Sequence, residues 1–227
     1  MRAMTSNPLH SVVIPIFNEF EGIPELFERM RTLIDKISAA TSSTCEVILV
    51  NDGSKDGSSE RLDELAKKDA RFKVIHLSRN FGHQVAITAG LEWSSGQTVT
   101  VMDADLQDPP ELIETFLMKW REGFDVVYAV RRKREGETAF KLATAKIFYR
   151  IIHRITNVDI PLDTGDFRLM DRVAVDAFLK LPERHRFVRG LVSWIGFSKI
   201  GVLYDRASRK HGETHYPFRK MLKFALD

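Results

Sequence analysis

The sequence predicts an α/β fold, a mostly parallel sheet with helices on both faces. Three observations carry this. Short apolar runs alternate with segments of helical period from Ser11 to Val130. The runs are continuous rather than alternating, as strands buried on both faces require. Small, polar and acidic residues gather directly after the runs, where parallel sheets bind ligands beyond their strand carboxyl ends.

Taken in order, Ser11–Phe17 reads as a first buried strand. Glu21–Ile37 then places Ile23, Leu26, Phe27, Met30, Leu33, Ile34 and Ile37 at helical spacing. Glu46–Val50, Lys73–Leu77, Thr98–Met102 and Asp125–Val130 read as further strands. Helices are expected over Ser58–Ala70, over Gln84–Trp93, and from Pro109-Pro110 to about Arg121. Beyond Arg134 the alternation changes. Ala139–Ile155 reads as a helix, and Asp163–Met170 as an extended return across the sheet. Arg172–Leu181 and Arg186–Ile195 read as helices, and Ser198–Tyr204 as a strand.

The 227 residues suffice for one sizeable core with an appended segment. A net charge of +3 is too small for a nucleic-acid-binding surface. The basic runs nevertheless cluster late in the chain. They are Arg131 to Arg134, then Arg206, Arg209 and Lys210, then Arg219, Lys220 and Lys223, and they suggest an anionic partner. The single cysteine, Cys45, permits no internal disulfide and reads as a small core residue. Met1 to His10 shows no secretory signal and no run approaches a membrane span, so a cytosolic location, at a membrane surface, is expected.

The chemistry-bearing residues fall at strand ends that should share one rim: Asn18 and Glu19, Asp52 to Ser54, Asn80 to Gly82, Asp103 to Gln107, and Arg131. On an extended segment Asp103, Asp105 and Gln107 would face one side and offer hard oxygens. Such ligands suit Mg²⁺ or Mn²⁺, with substrate phosphates completing the shell. A solvated acidic turn is the plainer alternative. Asp52 can accept a hydrogen bond from a pyrimidine N–H, or it can simply fasten a turn.

Together Val13 to Glu19, Val50 to Gly57, Ser78 to Gly82 and Met102 to Pro110 resemble family 2 glycosyltransferases of the GT-A fold. Within them the sequence is similar to the polyprenyl-phosphate glycosyltransferases, the group of dolichol-phosphate mannose synthases and bactoprenol glucosyltransferases. Asp163 to Arg172 and Arg186 to Phe197 look most like the bactoprenol branch. The resemblance implies that Pro15, Asn18, Glu19 and Asp52, with Ser54 and Asn80 beside them, contact the nucleotide sugar. It implies that Asp103 lies near the ribose or metal, and that Asp105 and Gln107 hold the divalent ion. Arg131 and the loop bearing Arg206 and Arg209 would face phosphates, and Asp166 would orient the acceptor or sugar. The expected reaction is inverting transfer of a hexose, best glucose from UDP-glucose, to a polyprenyl phosphate. GDP-mannose as donor, a saccharide acceptor, and a nucleotide-binding module without catalysis are the alternatives.

Residues 1–215 are expected to be the catalytic domain. In residues 216–227, Phe218, Met221, Leu222 and Ala225 follow an i, i+3, i+4, i+7 stripe. This predicts an amphipathic juxtamembrane helix on an anionic membrane surface, at the cytoplasmic face. Members of the group usually continue from such a helix into transmembrane helices. The alternative is that the stripe packs on the domain or on another subunit of a homo-oligomer.

Overall fold

A computed structural model describes residues 10–132, 164–184 and 186–205. The expected helix at Ala139–Ile155, the positions Asp163, Arg206 and Arg209, and residues 216–227 lie outside the described residues.

The strands are β1 (His10–Ile16), β2 (Cys45–Asn51), β3 (Phe72–His76), β4 (Thr98–Val101), β5 (Val126–Arg131), β6 (Thr164–Asp171) and β7 (Lys199–Tyr204). They form a seven-stranded sheet in the order β3-β2-β1-β4-β6-β5-β7. All pairings are parallel except the two made by β6, which runs backwards between β4 and β5. The helices are α1 (Ile23–Thr41), α2 (Ser58–Ala66), α3 (His83–Trp93), α4 (Leu112–Arg121), α5 (Arg172–Leu179) and α6 (Val188–Trp194).

Two apolar layers cover the sheet. On one face α1 and α4 pack over Val12, Ile14, Ile16, Val47 and Leu49. On the other, α3, α5 and α6 pack over Val13, Ile48, Val50, Val99 and Val101. The buried stripe of α1 is the one its spacing predicts, Ile23 through Ile37. Each such side chain stabilises the fold by about 1.5–3 kcal/mol when fully buried. Gly90 lets α3 sit directly on the sheet. A Cβ there would lie 2.2 Å from Val13 Cγ1 and 3.1 Å from Val50 Cγ2. Any side chain would push the helix away and open the second layer.

Pro15 sits inside a central strand, where a missing N–H usually breaks a ladder. Val13 O accepts from Met102 N, and Ile16 O accepts from Asp52 N. Odd positions of β1 therefore face β4 and even positions face β2. The last pair with β4 is Val13 with Val101. Pro15 faces the space just beyond it, so no sheet bond is lost.

The order β3-β2-β1 runs one way from β1, and β4 lies on its other side. The crevice between the carboxyl ends of β1 and β4 is thus the switch point at which such sheets bind ligands. Because β6 is reversed, its amino end, Thr164 to Asp166, joins the same rim.

Candidate active site

The loops after β1 and β2 are tied to one another by side chains at strand ends. Asn18 adopts a left-handed conformation with φ 54°. Its N–H donates to Ser54 Oγ at 3.0 Å, and its Oδ1 accepts from Lys55 N at 2.9 Å. Glu19 N donates to Ser58 Oγ, and Asn51 Oδ1 accepts from Ser54 N. Asp52 is 3% exposed. Its two oxygens accept from Phe81 N at 2.7 Å and Gly82 N at 2.9 Å. The turn-fastening role is therefore present, and it acts on the loop before α3. Gly53, at φ 67°, is approached by the Arg79–Asn80 backbone, with a Cβ position only 2.4 Å from Arg79 C. Here the glycine admits the neighbouring loop. Asn80 is exposed, and its carbonyl accepts from Arg79 Nη1.

The acidic segment after β4 departs from the extended path expected of it. Residues 104 and 105 form a turn, and Leu106 is left-handed at φ 53° with its side chain buried. Burying Leu106 against the α1–α4 layer outweighs the alternation that an extended chain would keep. Gln107 N then donates to Asp105 Oδ1 at 3.1 Å. Asp103, Asp105 and Gln107 remain partly exposed, while Asp108 is buried.

Asp108 organises a second cluster that was not assigned from the sequence. Tyr204, at the end of β7, donates its hydroxyl to Asp108 Oδ1 and accepts from Arg131 Nε at 3.1 Å. Arg131 Nη2 stands 3.9 Å from Asp108 Oδ2. Burial, followed by the bond to Asp108, pushes the Tyr204 hydroxyl up to about 12. Burial disfavours the Arg131 cation, but Tyr204 and Asp108 more than offset this and raise its pKa. Arg131 is thus a fixed positive charge at the rim.

His83, in the first turn of α3, stands between two carboxylates. Its Nε2 lies 3.5 Å from Asp103 Oδ1 and 3.3 Å from Asp166 Oδ2. Burial lowers the imidazole pKa, but Asp166, Asp103 and Asp52 together raise it further than burial depresses it. Asp166 also meets Arg168 Nη2 at 3.1 Å, Arg189 Nη2 at 3.7 Å and Gln84 Nε2 at 3.4 Å. Burial alone would raise the Asp166 pKa. His83, Arg168 and Arg189 overcome it and hold this carboxyl well below the usual carboxylate range. Among the described residues, Asp103 has only Arg131 as an arginine neighbour, acting through charge. Loss of hydration and the charges of Asp166, Asp105 and Asp108 push it up to about 6, against the opposing pull of His83.

Among the described residues, no three His, Cys, Asp or Glu side chains converge closely enough to hold a metal alone. Asp105 and Gln107 nevertheless offer hard oxygens from one turn. Burial first, and then the neighbouring carboxylates, raise the Asp103 pKa, and a divalent cation would favour its charged form. The donor set fits a Mg²⁺- or Mn²⁺-type ion that takes most of its ligands from phosphate and water.

The sequence model "Glycosyl transferase family 2" matches residues 11–179. The uncharacterised glycosyltransferase YkcC of Bacillus subtilis is 51% identical over 99% of this chain and 68% of its own length. A prophage bactoprenol glucosyl transferase homolog of Escherichia coli is 37% identical over 96% of this chain and 70% of its own. The chain thus spans about two thirds of these relatives. A mannosyltransferase of Pyrobaculum calidifontis, solved with GDP-Man and Mn²⁺, superposes with TM-score 0.62 at 19% identity, covering 92% of this chain and 59% of that one. Glucosyl-3-phosphoglycerate synthase of Mycobacterium tuberculosis, solved with Mn²⁺, UDP and phosphoglyceric acid, gives 0.57 at 16% identity, covering 95% and 74%. These likenesses show the GT-A fold, and the sequence relatives show more: the chain belongs to glycosyl transferase family 2.

Proposed function

We propose that this chain is the catalytic region of a metal-dependent, inverting hexosyltransferase that moves glucose from UDP-glucose to a polyprenyl phosphate. The observation that carries the reading is a rim that brings both charges together. Asp103, Asp105 and Gln107 offer oxygens after β4, and Arg131 and Arg189 stand beside them at Asp108 and Asp166. The oxygens suit a metal-bound diphosphate and the arginines an anionic acceptor. The bactoprenol glucosyl transferases among the relatives support a lipid phosphate in that place. Docking of residues 216–227 on an anionic membrane surface, with Arg206 and Arg209 reaching the lipid phosphate, belongs to the same reading.

A polyprenyl phosphate has a second pKa near ~6, as phosphomonoesters do, and is largely dianionic at neutral pH. Its oxygen can attack the anomeric carbon without a strong base. The carbon–oxygen bond to the donor diphosphate breaks, the electron pair leaves with the nucleoside diphosphate, and the anomeric configuration inverts. Asp166 suits this chemistry as a fixed hydrogen-bond acceptor for a sugar hydroxyl. A carboxylate held so far below neutrality is a poor base. Arg131, anchored by Tyr204 and Asp108, would position a phosphate. A divalent ion at Asp105 and Gln107 would neutralise charge on the departing diphosphate. Pro15, Asn18, Glu19, Asp52, Ser54 and Asn80 would shape the base and ribose site. Asp52 would do so mainly by holding the loop before α3 in place.

A donor panel with undecaprenyl phosphate and product analysis tests the reading. UDP-glucose should give the glucosyl phospholipid in Mg²⁺ or Mn²⁺, and calorimetry should show UDP binding more tightly than GDP. Tighter GDP binding would move the donor to GDP-mannose. Transfer to a saccharide hydroxyl instead would overturn the acceptor.

A further inference from the structure

Among the described residues, several large exposed apolar side chains mark the two poles of the sheet, while Phe20, Met118, Val173 and Leu203 are exposed elsewhere. Phe81, Val85 and Phe187, at 42%, 42% and 45% exposure, lie on the carboxyl-end rim. Phe81 is in the loop before α3, Val85 in its first turn, and Phe187 immediately before α6. Trp93 and Trp194 lie at the other pole. Trp93 ends α3, whose 11 residues lead ~16 Å away from the rim. Trp194 ends α6 just ahead of the start of β7. Trp120, the remaining tryptophan of the three, donates to Asp171 at the far end of β6.

The rim group is one surface. Phe81 lies in the loop two residues ahead of α3, and Val85 in the first turn of that helix. Gln84 Oε1 accepts from Val188 N at 2.9 Å, which fastens the start of α3 to the start of α6 beside Phe187. The same segments are cationic. Residues 77–89 contain Arg79 and no carboxylate. Among the described residues of 182–189, Arg184, Arg186 and Arg189 face Glu183 alone. Arg79 stacks on Phe81 at 4.0 Å, and Arg184 is exposed. The surface opens on the site, because His83 and Arg189, from these two segments, both reach Asp166.

We propose that Phe81, Val85 and Phe187, with Arg79, Arg184 and Arg189 beside them, are the surface by which the active-site mouth sits on the anionic lipid bilayer that holds its acceptor. The proposal rests on the lipid-phosphate reading of the acceptor. Apolar side chains enter the headgroup boundary while guanidinium groups stay among lipid phosphates. A lipid-borne phosphate stays at the bilayer surface, so the mouth must face it. The acidic donor side, on the α1–α4 layer, would then be turned toward water and the soluble nucleotide sugar.

All native tryptophans sit at the amino-end pole, so Phe187→Trp in the full chain places a reporter on the proposed surface. With phosphatidylglycerol vesicles carrying brominated acyl chains, the variant should show fluorescence quenching that the native protein lacks. Phosphatidylcholine vesicles or high salt should abolish it. A Val85→Ser/Phe187→Ser double variant should raise KM for polyprenyl phosphate in vesicles on the order of tenfold. Its donor KM, and its rate on detergent-dispersed acceptor, should not change. Quenching of the native tryptophans would put the other pole on the membrane and overturn the proposal. So would an unquenched Phe187→Trp variant that still transfers in detergent, or a double variant that dissociates an oligomer and leaves vesicle kinetics intact. If the native chain glycosylates no polyprenyl phosphate in detergent, the acceptor reading fails separately, and the quenching still decides the docking.

Discussion

Asp103 and Asp166 flank the same imidazole, yet the two halves of the molecule treat them in opposite ways. Asp103 hangs from the parallel half, after β4, among other carboxylates, and is pushed up to about 6. Asp166 belongs to the reversed strand β6 and is held down by His83, Arg168 and Arg189. Both have lost hydration, so burial alone does not separate them. The supply of fixed cations does. The reversed strand brings its own arginine, Arg168, into the buried layer beside Asp166. The acids after β4 stand close to one another, with His83 and Arg131 as neighbouring cations. One aspartate is thus held ionised by its cations, and the other is crowded by carboxylates.

The comparison is tested hardest at Asp105. Asp105→Ala should lower kcat/KM by on the order of 10³-fold or more, because charge on the leaving diphosphate loses its counter-ion. Its melting temperature should move by no more than about 2 °C, since the residue is only partly buried. Full activity in this variant, or in wild type with excess chelator, would remove the metal from the donor side.

Around Asp166 the same kind of deletion should cost stability. Arg168 is 4% exposed, and burial pushes its guanidinium down to about 10. Arg168→Met would leave Asp166 buried beside fewer cations and cost about 3 kcal/mol in urea unfolding. Adding Asp166→Asn should recover part of that loss. Because the folded pKa of Asp166 is depressed, its contribution is fully present above the unfolded value near ~4 and is lost as pH falls through the folded value. Asp166→Asn should therefore flatten the acid limb of the stability profile. An Arg168→Met variant as stable as wild type would show that the pairing is dispensable.

How legible this division was in the sequence differs between the halves. The parallel half is legible nearly residue by residue, because strands buried on both faces and the amphipathic α1 carry strong periodic signals. Helix α2 ends at Ala66 rather than the expected Ala70, where the stripe of Leu62 and Leu65 runs out. The return at Asp163–Met170 was legible as extended, but not its place between β4 and β5, since apolar pattern does not encode strand partners. The rim acids were legible as a motif, while their path was not. The left-handed Leu106, which turns inward for burial, breaks the alternation. His83, Asp108, Arg168, Arg189 and Tyr204 were missed as site residues. A signal did exist for one of them: Arg168 stands in a strand otherwise rich in apolar neighbours, and an arginine buried there requires an acid nearby. Tyr204 and Asp108, 96 positions apart, are joined only by the fold.

The smallest expected effect separates the two aspartates most cleanly. In protein free of metal and donor, Asp103 has lost hydration, and it faces His83 and Arg131 as favourable neighbours and Asp166, Asp105 and Asp108 as unfavourable ones. Between the unfolded value near ~3.9 and the folded value of about 6, the native state binds more protons than the unfolded state. Stability therefore falls as pH rises through that window, and the full cost of the charged form is present above it. Asp103→Asn removes the cost. The side chain is 30% exposed, so water screens part of the repulsion and the gain should be about 1 kcal/mol. At pH 8 that is a melting temperature higher by about 2–4 °C for a chain of this size, with no gain near pH 4. Transfer activity should fall in the same variant, since a carboxylate kept charged for function costs stability. Thermal unfolding of Asp103→Asn and Asp166→Asn across pH gives the comparison directly. Opposite signs at pH 8 support the contrast between the two aspartates. An Asp103→Asn variant less stable than wild type at pH 8 would mean that the His83 contact outweighs burial and the crowded carboxylates.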